Sequence, residues 1–168
     1  MATESLRTPS PNAARHDSFA LTRHFDAAPA AVFAVFADTR LWRKWFRMPG
    51  SAAEYEHDFR VGGRDLARSA FTHPDGRVER LQNRAVYLHI EPDRRIIYAY
   101  DTIVDDLPRW ASLVTIEIQP DPDGTELAWT EQVAFITATG DGSHDLPHLR
   151  GGIQLRLNAL AVALDAPP

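Results

Sequence analysis

The sequence predicts an α+β fold: a curved antiparallel sheet of about seven strands around a long C-terminal helix, with two short helices after the first strand. Three observations carry that prediction. Residues 19–25 and 52–135 alternate apolar and polar positions, in runs separated by short turn signals. Between those blocks, Pro29 to Gly50 reads PAAVFAVFADTRLWRKWFRMPG, an apolar run at helical spacing closed by a proline–glycine stop. Near the end, Leu149, Ile153, Leu157, Leu160 and Leu164 step by four, four, three and four, a single apolar helical stripe.

Taken in order, residues 1–17 are rich in Ala, Ser, Pro and Asn without periodicity and are expected to form a flexible tail. One domain is expected over residues 18–166. Phe19, Leu21 and Phe25 share one side of a first strand. Asp26 is a candidate cap for the first helix, which carries Pro29 in its first turn and Val32, Phe33 and Phe36 on its apolar face. Asp38 or Thr39 can cap a second helix bearing Leu41, Trp42 and Trp45. Tyr55, His57, Phe59 and Val61 then share one face of a strand, and Gly62-Gly63 allows a sharp bend. Strands follow to about Thr72, over Val78–Ile90, over Arg95–Val104, around Trp110–Ile118 and over Leu127–Phe135. Residues 139–147 form a polar loop before the last helix. A helix after such a meander must bury its stripe on the sheet's concave face, and the two short helices would close one end.

Composition narrows the function classes. A net charge of -5, with arginines dispersed along strands, gives no footprint for nucleic acid. The absence of cysteine removes thiol nucleophiles, disulfides and cysteine metal sites, and fits a cytoplasmic setting. The longest apolar run, Ala27 to Ala37, is too short to span a bilayer, so no membrane insertion is expected. No Gly-x-Ser-x-Gly elbow and no dinucleotide fingerprint is present. His144 and His148 are four apart, but no third ligand has helpful spacing. Neither a metal nor another cofactor is expected.

Several motifs match a known family in order and spacing: RHFDAAPAAV from Arg23, LWRKW from Leu41, DFRVGG from Asp58, PDG from Pro74, IEPDRRIIY from Ile90, GTEL from Gly124, and Gly151-Gly152 with Leu157 and Leu160. From Phe19 to Leu164 the chain resembles the helix-grip superfamily of START domains, Bet v 1 allergens and polyketide cyclases. Within it the chain is similar to the group related to the C-terminal domain of the activator of Hsp90 ATPase. Two positions depart from that group's pattern. Ile153 stands where Trp is common, and Asn83 where Gly is common.

The resemblance implies an internal apolar cavity between sheet and C-terminal helix. Cavity candidates are Trp42, Trp45, Phe46, His57, Phe59, Phe71, Tyr98, Tyr100, Trp110, Trp129, Ile153 and Leu157. Each aromatic has core packing as its simpler role, but together they suit a ligand site, which is mainly apolar with a few polar anchors. Two charges intrude on apolar faces. Arg23 shares the phase of Phe19, Leu21 and Phe25, and Glu131 that of Trp129 and Val133. A buried lone charge is costly, and the first and last strands are neighbours in helix-grip folds, so the two are expected to approach each other or share a ligand. The expected function is binding of a small hydrophobic or amphipathic molecule, with no catalytic residue assigned. The alternatives are a cyclase- or hydrolase-like enzyme using Glu131 or His57, and a co-chaperone acting on an Hsp90-type ATPase. A homodimer is left open.

Overall fold

The structure, a computed structural model, describes residues 13–165. Seven antiparallel strands form one sheet: β1 (Arg15–Phe25), β2 (Ser51–His57), β3 (Arg64–Thr72), β4 (Val78–Glu91), β5 (Arg95–Val104), β6 (Leu107–Asp121) and β7 (Gly124–Phe135). Their spatial order is β1-β7-β6-β5-β4-β3-β2, so β1 and β2 stand at opposite edges. The chain between them, α1 (Pro29–Ala37) and α2 (Thr39–Trp45), must therefore cross the width of the sheet. The third helix, α3 (Asp145–Asp165), packs against α2, α1 and β1.

The α3 stripe is buried at Leu149, Ile153, Leu157 and Leu160, each worth about 2 kcal/mol of apolar burial. It meets a concave sheet face built from alternate residues: Ile96 on β5, Val114, Ile116 and Ile118 on β6, and Leu127, Trp129, Val133 and Phe135 on β7. Trp45 belongs to this core and satisfies its indole by donating to the Val35 carbonyl at 2.7 Å.

Local details differ from the expectations at four places. The helix α1 is capped by Ala28, with no side-chain bond, rather than by Asp26. Asp38 does cap α2, accepting from the Leu41 N–H at 2.9 Å. Strand β2 stops at His57, and Phe59 and Val61 belong to the turn that follows, where Val61 is 58% exposed. The helix α3 starts at Asp145 instead of beyond Pro147, because proline is compatible with a first helical turn. Finally, β1 begins at Arg15, and Arg15 to Asp17 pair with Phe135 to Val133. The sheet thus reaches into the stretch expected as tail, of which residues 1–12 lie outside the described residues.

The motif Asp58–Gly63 earns its glycines. A Cβ on Gly63 would lie 2.0 Å from the Asp58 carbonyl oxygen, and Gly62 has φ +78°. The turn is tied to β4 in both directions: Gly62 N–H donates to the Tyr87 carbonyl at 2.8 Å, and Tyr87 N–H donates to the Gly63 carbonyl at 3.1 Å. Gly62-Gly63 therefore fixes Tyr87, which faces the interior beside the register shift between Tyr87 and His89.

Candidate functional site

Polar side chains converge at the middle of the concave face. Strand register explains why. Asp65 lies opposite Ala85, which lies opposite Tyr100. One row away, Tyr87 lies opposite Tyr98, Tyr98 opposite Val114, and Val114 opposite Glu131. All these positions share the inward phase of their strands. Above them sit α2, the segment that follows it and α3, enclosing a cavity of about 30 Å³. Its walls are Phe36, Trp42, Trp45, Phe46, Asp65, Asn83, Ala85, Tyr87, Ile96, Tyr98, Tyr100 and Arg156.

Two carboxylates anchor the hydroxyl network. Glu131 is 0% exposed and accepts from the Tyr100 hydroxyl at 2.5 Å and from Trp129 Nε1 at 3.0 Å. Trp110 Nε1 donates in turn to the Tyr100 oxygen at 3.3 Å. On the cavity wall itself, Asp65 accepts from the Tyr87 hydroxyl at 2.5 Å and from the Asp58 N–H at 3.3 Å. Burial raises the Asp65 carboxyl to about 6, against the opposing pull of the Tyr87 and Asp58 hydrogen bonds, with the Asp58 charge adding to the rise. Burial, then a neighbouring carboxylate, also pushes up the hydroxyls of Tyr87, Tyr98 and Tyr100. All three therefore stay protonated and available as donors near neutral pH. Asn83 donates to Thr102 Oγ1 at 3.1 Å, a bond that a glycine at that position could not make.

The cover over the cavity is built by stacking. Trp42 lies 4.5 Å from Phe46 at an interplanar angle of 12°, and 4.5 Å from His57 at 11°. The guanidinium carbon of Arg156 lies 4.4 Å from the centre of the Phe46 ring. The segment 46–50 that follows α2 has no regular secondary structure and is attached through the Met48 N–H, which donates to the Tyr55 hydroxyl at 2.9 Å. His57 shares a 2.9 Å hydrogen bond between Nδ1 and Thr39 Oγ1, and its Nε2 is buried without a partner. Burial lowers its pKa, partly offset by the Phe36 carbonyl and the charges of Asp58 and Asp38, so the ring is neutral near pH 7.

Of the residues singled out from the sequence, Trp42, Trp45, Phe46, Tyr98 and Tyr100 line the cavity. Glu131, Trp110 and Trp129 stand behind them and orient Tyr100. Ile153 and Leu157 are buried core of α3. Phe59 packs on Phe33 and Tyr87 beside the site, and Phe71 lies toward the far end of β3, edge-on to His73.

The expected approach of Arg23 and Glu131 does not occur. Arg23 pairs in register with Leu127, four residues and about 13 Å along β7 from Glu131. Its guanidinium donates to Asn158 Oδ1 at 3.0 Å instead. Strand adjacency holds, but phase alone does not fix position along the strand. The cavity is also far smaller than expected. At about 30 Å³ it has room for about two waters, against the roughly 300 Å³ or more of a small-molecule pocket. Trp42, Phe46 and the Arg156 stem fill the space. A second depression, bordered by His24, Asp26, Ala27, Ala28, Pro122, Asp123 and Gly124, is open to solvent and encloses nothing.

Asp65, Tyr87 and Arg156 are the functional candidates that the sequence reading missed. Asp65 precedes Ala67, Ser69 and Phe71 in strict alternation, the same signal that marked Glu131. Arg156 is three residues after Ile153 and four before Leu160, on the flank of the buried stripe.

Sheet, crossing helices and gripped C-terminal helix define a helix-grip protein. The model of the family described as activator of Hsp90 ATPase homolog 1-like protein matches residues 26–165, and the chain belongs to that family. No functionally curated protein matches. Among solved structures, an uncharacterized protein of Rhizobium leguminosarum is 31% identical with a TM-score of 0.75, covering 90% of this chain and 96% of its own. A protein of Rhizobium loti is 35% identical with a TM-score of 0.74, covering 89% and 98%. One of Chromobacterium violaceum is 25% identical with a TM-score of 0.66, covering 89% and 99%. Family and fold together support a ligand-binding or activator-type role. Among the described residues no helix is long and apolar enough to cross a membrane.

Proposed function

We propose that the protein binds a small amphipathic molecule between the sheet and α3, and that the stacked cover formed by α2 and residues 46–50 moves aside to admit it. The observation that carries this reading is the convergence of Asp65, Tyr87, Tyr98, Tyr100 and Arg156 on one residual cavity under aromatic walls. Stability alone does not require such a cluster, since apolar residues of similar volume often replace buried charged groups at no cost. The existing volume is too small for such a molecule, so its entry must displace the Trp42–Phe46–His57 stack and the 2.9 Å bond from the Met48 N–H to the Tyr55 hydroxyl. Native mass spectrometry and tryptophan-fluorescence titration against lipids and aromatic metabolites test it. Saturable quenching with a one-to-one adduct is expected. No adduct across the panel, with the protein folded, refutes it.

A second reading, an enzyme of the cyclase or hydrolase type, is favoured by one observation: Asp65 on the cavity wall has a carboxyl raised to about 6, suited to proton transfer near neutral pH. It is better placed than the two candidates taken from the sequence. Glu131 is enclosed behind Tyr100 and Trp129, and His57 stacks on Trp42 and is not among the cavity walls. Turnover lost in Asp65→Asn with binding retained would establish the enzyme reading. The activator role named in the family's description predicts capture of an Hsp90-type ATPase in a pull-down. It ranks third, because the concentrated chemistry of this chain is internal.

A further inference from the structure

Within the proposed ligand-binding role, on which this inference rests, the cavity also indicates what kind of head group it takes. Its hydrogen-bonding capacity is lopsided. Both carboxylates already hold donors: Asp65 has the Tyr87 hydroxyl and Asp58 N–H, and Glu131 has the Tyr100 hydroxyl and Trp129 indole. Arg156 differs. Its guanidinium carries five N–H donors, and among the described residues none is hydrogen-bonded and the charge is in no ion pair. The Tyr98 hydroxyl, which lines the same cavity, likewise has no hydrogen-bond partner among the described residues. Arg156 is also pre-set. It is half-buried on α3, and its planar group rests against Phe46 at 4.4 Å, which limits its freedom before any ligand arrives.

A cationic ligand would meet the Arg156 charge, and a neutral one would leave it unmatched. A phosphate would bring a larger, more highly charged group close to Asp65 and Glu131. A carboxylate is planar, singly charged and matches the guanidinium fork with two parallel hydrogen bonds. We infer that the site takes a small monocarboxylate, its head group held by Arg156 and the Tyr98 hydroxyl and its apolar body against Trp42 and Phe46. The body must displace part of the cover, whereas the head group alone nearly fits the existing space.

The test uses matched triplets of carboxylate, primary amide and amine on phenyl, indole and branched-alkyl bodies, titrated by tryptophan fluorescence and calorimetry into the full chain. In the wild type the acid should bind about tenfold or more tighter than its amide, and the amine most weakly. In Arg156→Gln the acid-to-amide affinity ratio, read within the variant, should fall to about one. Arg156→Lys, which keeps the charge but not the fork, should retain part of the preference. Thermal melting checks that each variant folds, and if Arg156→Gln does not, Arg156→Lys still reports a reduced preference. Amides binding as well as acids, amines preferred, or an acid preference unchanged in Arg156→Gln or Arg156→Lys would overturn the carboxylate assignment while leaving ligand binding intact. Absence of binding by every member of every triplet would overturn ligand binding itself, and the assignment with it.

Discussion

Replacing Asp65 by Asn isolates the energetic consequence of burying a carboxyl in this core. In the folded protein its pKa rises from the ordinary 3.8 to about 6, mainly through burial. The sign follows from linkage: a raised carboxyl pKa means that ionisation is harder in the folded state than in the unfolded one. The side chain's contribution is therefore fully present below about pH 3.8 and is lost as pH rises through about 6. A displacement of that size corresponds to about 3 kcal/mol, and partial exposure of the side chain trims it toward about 2 kcal/mol. Asparagine has nearly the same shape, stays neutral and can still accept from Tyr87. Its stability relative to wild type should thus improve by about 2 kcal/mol between about pH 4 and about pH 7.5. Urea unfolding of both proteins at a series of pH values measures this, because other titrating groups cancel in the difference. A difference that does not change with pH, or that grows in favour of wild type as pH rises, would refute the reasoning.

Other substitutions probe the supports of the site. Gly63→Ala forces a Cβ against the Asp58 carbonyl and should destabilise by about 2 kcal/mol or more in chemical denaturation, with Tyr87 losing its fixed environment in NMR spectra. Leu157→Ala opens a cavity under α3 and should cost about 2–5 kcal/mol by the same assay. Glu131→Gln turns an NH₂ toward donors that need an acceptor and should cost about 1–3 kcal/mol, with a shifted tryptophan emission maximum reporting the altered partner of Trp129.

Much of the fold is legible in the sequence because its signals are periodic. The alternation in β5 and β7 and the α3 stripe are burial patterns that a single sequence displays directly, and the β5 limits Arg95–Val104 agree with expectation. The end of β2 was less legible. Phe59 and Val61 keep the strand's alternation, but the turn closed by Gly62-Gly63 overrides it. The site was legible only in part. Phase identifies which residues face inward, which suffices for Trp42, Tyr98, Tyr100 and Glu131. It does not say how far along a strand each lies, so Arg23 and Glu131 looked like partners when register holds them apart. Arg156 was hidden for a different reason: on the flank of an amphipathic helix a long cationic side chain can point to solvent or fold inward, and only packing against Phe46 decides.

The most direct test of ligand binding beneath the cover is chemical-shift mapping of the ¹⁵N-labelled protein, titrated with the tightest compound from the panel. Shift changes should concentrate on the indole N–H of Trp42 and on residues 46–50, Tyr98 and Arg156, with the outer face of the sheet unmoved. Changes confined to the outer sheet face, or saturation without any response from Trp42, Phe46 and Arg156, would contradict it.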